Sequence, residues 1–258
     1  MLDAQGREAM PTKAQLGQSA RAYVQALTAH LTARADADPA LRPFVEALAL
    51  CPLQVCRTEP RPRLDHPLIA PLDRVSSEIV GAQAFAGPVR QAADTMDWFP
   101  VFAGGGIDPR LADGMLAAQA VGTYGCFAHE TLAVGIFIMA PGVAYPLHTH
   151  EATEIYLAVA GSISIQHGID GTPFTLHPGD YSITPPHRVH ALQTGEEPAL
   201  VCYVWKGDLW CRNWWWAQDS RGAWTRTAWE RPEAGPWRPL ESEPVDPAIM
   251  AEAHGQLA

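Results

Sequence analysis

Two histidines and a glutamate lie within seven residues of one another near the middle of the chain. They are His148, His150 and Glu154, in the pattern HxH-x3-E. Imidazole nitrogens and carboxylate oxygens suit Zn, Fe, Mn, Ni or Co. In an extended chain the two histidines point to one face, because side chains alternate with period two, and a bend at 151–153 would bring the glutamate beside them. His190 is the best candidate for a fourth ligand.

The residues after Glu154 predict a buried strand. Ile155, Leu157 and Val159 are apolar and recur at every second position. Ionisable side chains aimed into such a sheet are costly to bury unless a bound ion compensates them. The pattern therefore favours a metal site over surface histidines, with one divalent transition metal per chain (Zn, Fe, Mn, Ni or Co).

Helical patterns dominate the first half of the chain. Apolar residues recur on one helical stripe between Thr12 and Ala33. Start signals with proline at the first helical position lie at residues 38–39 and 108–109. We expect further helices at about 72–85 and from 108 to about 120. The sequence thus predicts a helical region over residues 1–122, which packs on the remainder of the chain or mediates dimerisation.

Strand patterns take over near Val121. A continuous apolar run at 132–140 is followed by short runs separated by glycine and proline. Many short strands at regular spacing are typical of an antiparallel sandwich or barrel. We predict a mainly β domain over residues 123–258, with a Trp-rich C-terminal extension packed on its outside. The predicted strands after the apolar run lie near 145–150, 154–160, 162–167, 173–176, 180–184, 190–194 and 200–206.

Composition narrows the classes of partner. The 258 residues carry 18 basic and 28 acidic side chains, a net charge of −10, which argues against non-specific binding of nucleic acid. The five cysteines are odd in number and form no CxxC pair, a pattern that suits a reducing compartment. No signal peptide and no apolar run long enough to span a membrane is recognisable. A cytoplasmic protein without a membrane partner is expected, and a homodimer is left open.

The metal-ligand pattern resembles a known superfamily. Gly142 and Gly161 flank the HxH-x3-E pattern at spacings that match the first motif of the cupins at every defined position. The second cupin motif is matched at Gly179, Pro185 and His190. Two positions depart from it, since His187 replaces a glycine and Thr194 replaces an asparagine. The resemblance implies a cupin-type antiparallel β-barrel (jelly roll) with a metal held by His148, His150, Glu154 and His190.

A narrower resemblance concerns the aromatic residues around the ligands. Tyr145 and Tyr156 complete the pattern Y-x2-H-x-H-x3-E-x-Y, which looks like the cupin-type dimethylsulfoniopropionate (DMSP) lyases. Those enzymes also have an N-terminal helical region and a tryptophan fifteen residues after the last histidine, matched here by Trp205. The resemblance is good over roughly 132–209 and holds only in outline for the helical part.

The resemblance implies a β-elimination on a small sulfonium carboxylate. Such lyases cleave DMSP to dimethyl sulfide and acrylate. A base removes the proton α to the carboxylate, and Tyr145 is the better candidate for that base, with Tyr156 as a metal or substrate contact. The sulfonium is a cation, which aromatic faces attract. Candidate substrate contacts are Trp205, Tyr203, Tyr181 and His187.

Two other functions fit the same ligand set. An iron-dependent cupin dioxygenase would use three histidines and a glutamate and would require O2. A non-catalytic metal-binding or small-molecule-binding cupin is the third hypothesis, because one fold serves many functions. The two tyrosines favour the lyase, since an oxygenase has no special need for a phenolic base.

Overall fold

The computed structural model describes residues 10–54, 56–231 and 236–253. Its α-helices are α1 (Lys13–Thr32), α2 (Arg42–Leu50), α3 (Ile69–Ser77), α4 (Gln83–Thr95), α5 (Pro109–Ala112) and α6 (Pro247–Ala253). Its strands are β1 (Trp98–Pro100), β2 (Met115–Val121), β3 (Leu132–Met139), β4 (Ala144–Thr149), β5 (Thr153–Ala160), β6 (Ile163–His167), β7 (Phe174–Leu176), β8 (Tyr181–Thr184), β9 (His190–Thr194), β10 (Ala199–Lys206), β11 (Asn213–Gln218), β12 (Trp224–Glu230) and β13 (Arg238–Pro244).

The strands form two antiparallel sheets. One has six strands in the order β1-β2-β3-β10-β5-β8, and the other has seven in the order β13-β12-β11-β4-β9-β6-β7. The mainly β, cupin-type fold behind a helical N-terminal region is therefore confirmed. The seven predicted strands between 145 and 206 each match an observed strand to within about one residue.

The continuous apolar run of β3 is explained by burial on both faces of the six-stranded sheet. Ile136 and Ile138 belong to a core shared with the helices. Phe137 and Met139 belong to a second core that lies between the two sheets. Because side chains alternate across a strand, a strand covered on both faces has no polar side.

The N-terminal helices cover the outer face of the six-stranded sheet. Helix α1 begins with a capping box in which Thr12 and Gln15 satisfy each other's backbone N–H groups. The α1 stripe predicted from the sequence is buried. At its centre the hydroxyl of Tyr23 donates a hydrogen bond of 2.6 Å to the carbonyl of Gly135 on β3. The helical layer thus supports the sheet from behind.

The Trp-rich segment extends the second sheet instead of only covering the outside of the barrel. Strand β11 pairs with β4, and β12 and β13 follow it outward. Trp229 is buried in the core between the sheets, and Trp215 packs against it. The expectation of purely external packing was therefore incomplete.

Two helix predictions were wrong. Only 109–112 is helical in the predicted 108–120 helix, and Met115–Val121 is a strand. The predicted 72–85 helix is two helices, α3 and α4, with a break between them. Strands β1 and β2 precede residue 122, so the predicted boundary there does not coincide with the change from helices to strands. Among the described residues, no helix combines the length and the apolar character needed to cross a membrane.

Candidate active site

Three strands bring the predicted metal ligands together. Strand β4 carries His148 and ends just before His150, β5 carries Glu154, and β9 begins with His190. The pairing of β4 with β9 puts His148 directly opposite His190. On β5 the apolar residues at 155, 157 and 159 face the helices, which turns Glu154 toward the space between the sheets. The alternation predicted from the sequence is therefore what aims the carboxylate inward.

The four side chains meet in a buried cluster. Their exposed fractions are 1% for His148, 2% for His150, 4% for Glu154 and 0% for His190. One nitrogen from each histidine lies within 4.8 Å of the other two. Glu154 Oε2 lies 3.2 Å from His150 Nε2 and 3.4 Å from His190 Nε2. The structure thus brings all four predicted ligands into one site.

Each histidine ring is oriented by a backbone carbonyl two residues away. The Nδ1 atoms of His148, His150 and His190 lie 2.8, 3.0 and 2.9 Å from the carbonyl oxygens of Pro146, Ala152 and Arg188. A carbonyl only accepts hydrogen bonds, so Nδ1 carries the proton and Nε2 keeps its lone pair. This is the arrangement by which metal-ligating histidines are usually held.

The donor set fits a divalent transition metal. The Nε2 atoms of His150 and His190 are buried and make no hydrogen bond. Burial lowers the pKa of His148 and of His190, so both rings are neutral at pH 7. Burial acts to raise the pKa of Glu154, whereas His150 and His190 lower it only to the extent that they carry a proton; the hydrogen bond donated by the Tyr156 hydroxyl also favours the ionised carboxylate. Neutral imidazoles and an ionised carboxylate are the protonation states that metal binding requires.

Tyr145 lies directly beside the cluster. Its ring stacks on that of His148, with centroids 3.7 Å apart. Its hydroxyl oxygen accepts a hydrogen bond of 2.7 Å from Nδ2 of Asn213. Burial raises the pKa of Tyr145, whereas the contact with Asn213 acts in the opposite direction. The phenol is thus held in place by a donor that favours its ionised form.

Tyr156 has a different partner. Its hydroxyl donates a hydrogen bond of 2.5 Å to Glu154 Oε2. Burial and the charge of Glu154 both raise the pKa of Tyr156. The hydroxyl proton of Tyr156 is therefore held in the hydrogen bond to Glu154, and Tyr156 orients that carboxylate.

A cleft of about 590 Å³ opens onto the site. Trp205 lies opposite Glu154 on β10, and its ring packs on His150 with centroids 4.1 Å apart. Tyr203 lies opposite Tyr156 and accepts a hydrogen bond of 3.2 Å from Gln119. Most of the lining is apolar or aromatic, including Phe99, Phe102, Phe137, Trp210 and Trp237.

Two predicted substrate contacts lie outside this cleft. The hydroxyl of Tyr181 donates a hydrogen bond of 2.7 Å to Asp38 and faces the helical layer. His187 lines a separate, smaller cavity of about 170 Å³ together with His150 and Glu252. His187 has a φ of 60°, the left-handed conformation that the glycine of the cupin motif would adopt without strain. The roles predicted for these two residues stay predictions.

Several residues of the cleft had no signal in the sequence. Asn213 lies 23 residues beyond His190, and it reaches Tyr145 only because β11 pairs with β4. The ring of Phe102 packs against that of Tyr145, with ring centroids 4.8 Å apart. Neither residue belongs to a recognisable motif, so only the sheet topology identifies them.

Comparison with known proteins assigns the chain to a family. The family model described as dimethylsulfoniopropionate lyase matches residues 53–201, more than half of the chain. The chain belongs to this family. The match contains all four candidate ligands and both tyrosines, and it ends before Trp205 and the Trp-rich extension.

Individual relatives support the same assignment. Dimethylsulfoniopropionate lyase DddQ of Ruegeria pomeroyi is 31% identical over 119 residues, or 46% of this chain. That alignment spans 58% of the relative, a little more than half of its length. The crystal structure of that enzyme superposes with a TM-score of 0.52 and 26% identity over 73% of this chain and 92% of its own. A structure from work on the DMSP lyases RdDddP and RnDddQII gives a TM-score of 0.56 at 22% identity, over 74% of this chain and 94% of its own, which supports the fold.

Proposed function

We propose that this protein is a metal-dependent carbon–sulfur lyase that cleaves DMSP to dimethyl sulfide and acrylate. The observation that carries the proposal is the tyrosine stacked on a buried three-histidine, one-glutamate site in a chain of the DMSP lyase family. His148, His150, Glu154 and His190 would hold one divalent ion. That ion supplies Lewis acidity, which stabilises the negative charge that develops on the substrate carboxylate.

Tyr145 is the proposed base. Its oxygen accepts a proton from the carbon α to the substrate carboxylate, the α,β double bond forms, and the β-carbon–sulfur bond breaks. The electron pair of that bond stays on sulfur, which leaves as neutral dimethyl sulfide. Asn213 supports this role because its N–H donates to the phenolic oxygen and thereby favours the phenolate.

Tyr156 is the weaker candidate for the base. Its hydroxyl proton is bound to Glu154, and the adjacent negative charge opposes its ionisation. We assign it the task of fixing the orientation of Glu154. The charge of Glu154 also raises the pKa of Tyr145, but among the described residues the Tyr145 hydroxyl donates no hydrogen bond to a carboxylate, so it remains available to the substrate.

The aromatic lining suits the sulfonium group. A cation over an aromatic face gains about 0.5–2 kcal/mol, and more where water is excluded. Trp205 and Tyr203 both lie on β10, opposite Glu154 and Tyr156, and both line the cleft. We assign them the sulfonium end of the substrate. The neutral thioether that leaves has no such attraction, which favours product release.

An anoxic activity assay tests the proposal. Metal-loaded protein is incubated with DMSP under nitrogen, and headspace dimethyl sulfide and dissolved acrylate are measured. The proposal predicts equal amounts of both products, none after the metal is removed, and recovery on reloading. Turnover that requires O2 would instead favour the dioxygenase, and a metal-loaded protein without any product would refute the lyase.

A further inference from the structure

The cleft is much larger than DMSP requires. DMSP has only about eight non-hydrogen atoms, whereas a volume of about 590 Å³ corresponds to roughly 20 water molecules. The inner part of the cleft contains the site, with His148, Glu154 and Tyr145. We call the outer part those lining side chains that make none of the contacts of the ligand cluster, among them Phe99, Tyr124, Trp210, Glu230 and Arg231; Tyr124 and Trp210 are exposed to solvent.

The C-terminal extension supplies part of this outer wall, opposite Phe99 and Tyr124 of the matched region. Glu230, Arg231 and Trp237 all follow residue 201, where the family match ends. Trp237 is fixed against the segment after β1, since its backbone N–H donates to Ala103 and its indole N–H donates to Val101 over 2.8 Å. The cationic side of the outer wall, with Arg231 and Trp237, therefore lies beyond the matched region.

Arg231 is the cationic side chain of this wall. Its guanidinium lies over the rings of Tyr124 and Phe99, with 4.7 and 5.6 Å from its central carbon to the ring centroids. Its one hydrogen bond among the described residues is a long contact of 3.5 Å to the carbonyl of Val101. The neighbouring Glu230 is paired with Arg238 instead, at 2.5 Å. Within the described part of the chain, Arg231 forms no ion pair.

This placement does not suit a sulfonium. A guanidinium repels a cation, and the aromatic inner wall already serves that group. A guanidinium whose flat face rests on aromatic rings keeps its N–H edges free for a carboxylate or phosphate. The outer part of the cleft thus has the chemistry of an anion subsite.

We propose that Arg231 and the aromatic outer wall form a specificity subsite for an anionic substituent on the sulfur of the substrate. The inference rests on the proposed lyase function. The preferred substrates would be β-sulfonium carboxylates in which one S-methyl group is replaced by an acidic arm. With a 2-carboxyethyl arm, the elimination releases acrylate and 3-(methylthio)propionate. The electron pair of the broken bond remains on sulfur, and the α-proton goes to the base.

The first test compares kcat/KM for DMSP, for its S-(2-carboxyethyl) analogue and for a neutral S-propyl analogue. Wild-type protein is expected to favour the carboxyethyl over the propyl compound. Arg231→Gln should reduce this preference about tenfold, which is about 1.4 kcal/mol. Arg110→Gln, at an exposed arginine outside the cleft, should retain it. An equal loss for all three substrates in Arg231→Gln would mean a general effect on the cleft and would overturn the inference.

A binding test separates this inference from the proposed function. 3,3′-Thiodipropionate carries two carboxylates but no sulfonium, so it cannot be eliminated. Calorimetry with metal-free protein is expected to give binding that weakens about tenfold in Arg231→Gln and persists in Arg110→Gln. Equal affinity of wild type and Arg231→Gln would contradict the subsite even if DMSP is cleaved. Conversely, failure to cleave DMSP would refute the lyase whatever the binding result.

Discussion

Replacing Tyr145 with phenylalanine separates the proposed base from the metal site. The variant keeps the ring that stacks on His148 at 3.7 Å and removes only the hydroxyl. A positioned base typically contributes about 10²–10⁴-fold to a rate, so turnover of DMSP should fall by at least about 100-fold. Metal content should not change, because none of the four ligands is altered.

The same change has a separate cost in stability. Nδ2 of Asn213 loses its partner, and Oδ1 of that residue already makes no hydrogen bond. A buried donor left unpaired costs about 1–3 kcal/mol, which lowers the melting temperature by several degrees in a chain of this size. Tyr23→Phe is the matched control, since it also removes a buried tyrosine hydroxyl, in this case one bonded to Gly135 outside the cleft. It should lose comparable stability and keep its turnover.

The assay combines headspace dimethyl sulfide, metal analysis after gel filtration and thermal unfolding on both variants. Our reasoning requires Tyr145→Phe to be metal-loaded, folded at the assay temperature and nearly inactive. Turnover within a few-fold of wild type would refute Tyr145 as the base. A parallel loss of turnover in Tyr23→Phe would show that stability, not chemistry, is the cause.

Three further predictions follow from the site and the helical layer. His190→Ala and Glu154→Gln should each lose the bound metal, as measured by elemental analysis. The control variant His177→Ala, at an exposed histidine, should retain it. Full metal content in both site variants would contradict the ligand assignment. Trp205→Leu should raise KM for DMSP by roughly 2- to 30-fold, the loss of a contact of about 0.5–2 kcal/mol, and unchanged KM would remove Trp205 from sulfonium binding. Burial and Arg34 lower the pKa of His30 to about 4, so the stability associated with its neutral form is present above about pH 6.5 and is lost as the pH falls toward 4. The His30 ring stacks on Phe85 and is only partly buried, so we expect its contribution to the free energy of unfolding to be about 1 kcal/mol. Denaturant unfolding of His30→Gln should therefore depend less steeply on pH in that range.

The ligand set could be predicted from sequence because it is local and chemically distinctive. His148 and Glu154 lie on consecutive strands that belong to opposite sheets, and His150 lies in the short bend between them, so their spacing nearly determines their geometry. The short strands that follow this motif in the sequence were equally easy to predict, because glycine and proline mark the turns between them. His190 was identified by the second motif and pairs directly with His148.

The wrong helix prediction and the missed cleft residues have physical causes that the local sequence pattern does not contain. Met115–Val121 contains three alanines and lacks alternation, so helical propensity and a helix-start signal pointed to a helix. Burial between β1 and β3 makes it a strand, since tertiary packing overrides propensity. Asn213 was missed because its contact with Tyr145 depends on the pairing of β11 with β4, which no sequence spacing encodes. Arg231 was missed because its contacts with Phe99 and Tyr124 join the end of β12 to segments more than 100 residues earlier in the chain.

The fate of the α-hydrogens tests the central claim most directly. DMSP with both α-hydrogens replaced by deuterium is incubated with the metal-loaded protein, and the three-carbon product is analysed by mass spectrometry. Elimination by removal of an α-hydrogen predicts acrylate that retains one deuterium, released together with an equal amount of dimethyl sulfide. A product such as 3-hydroxypropionate that retains both deuterium atoms would show displacement at the β-carbon and would contradict the elimination.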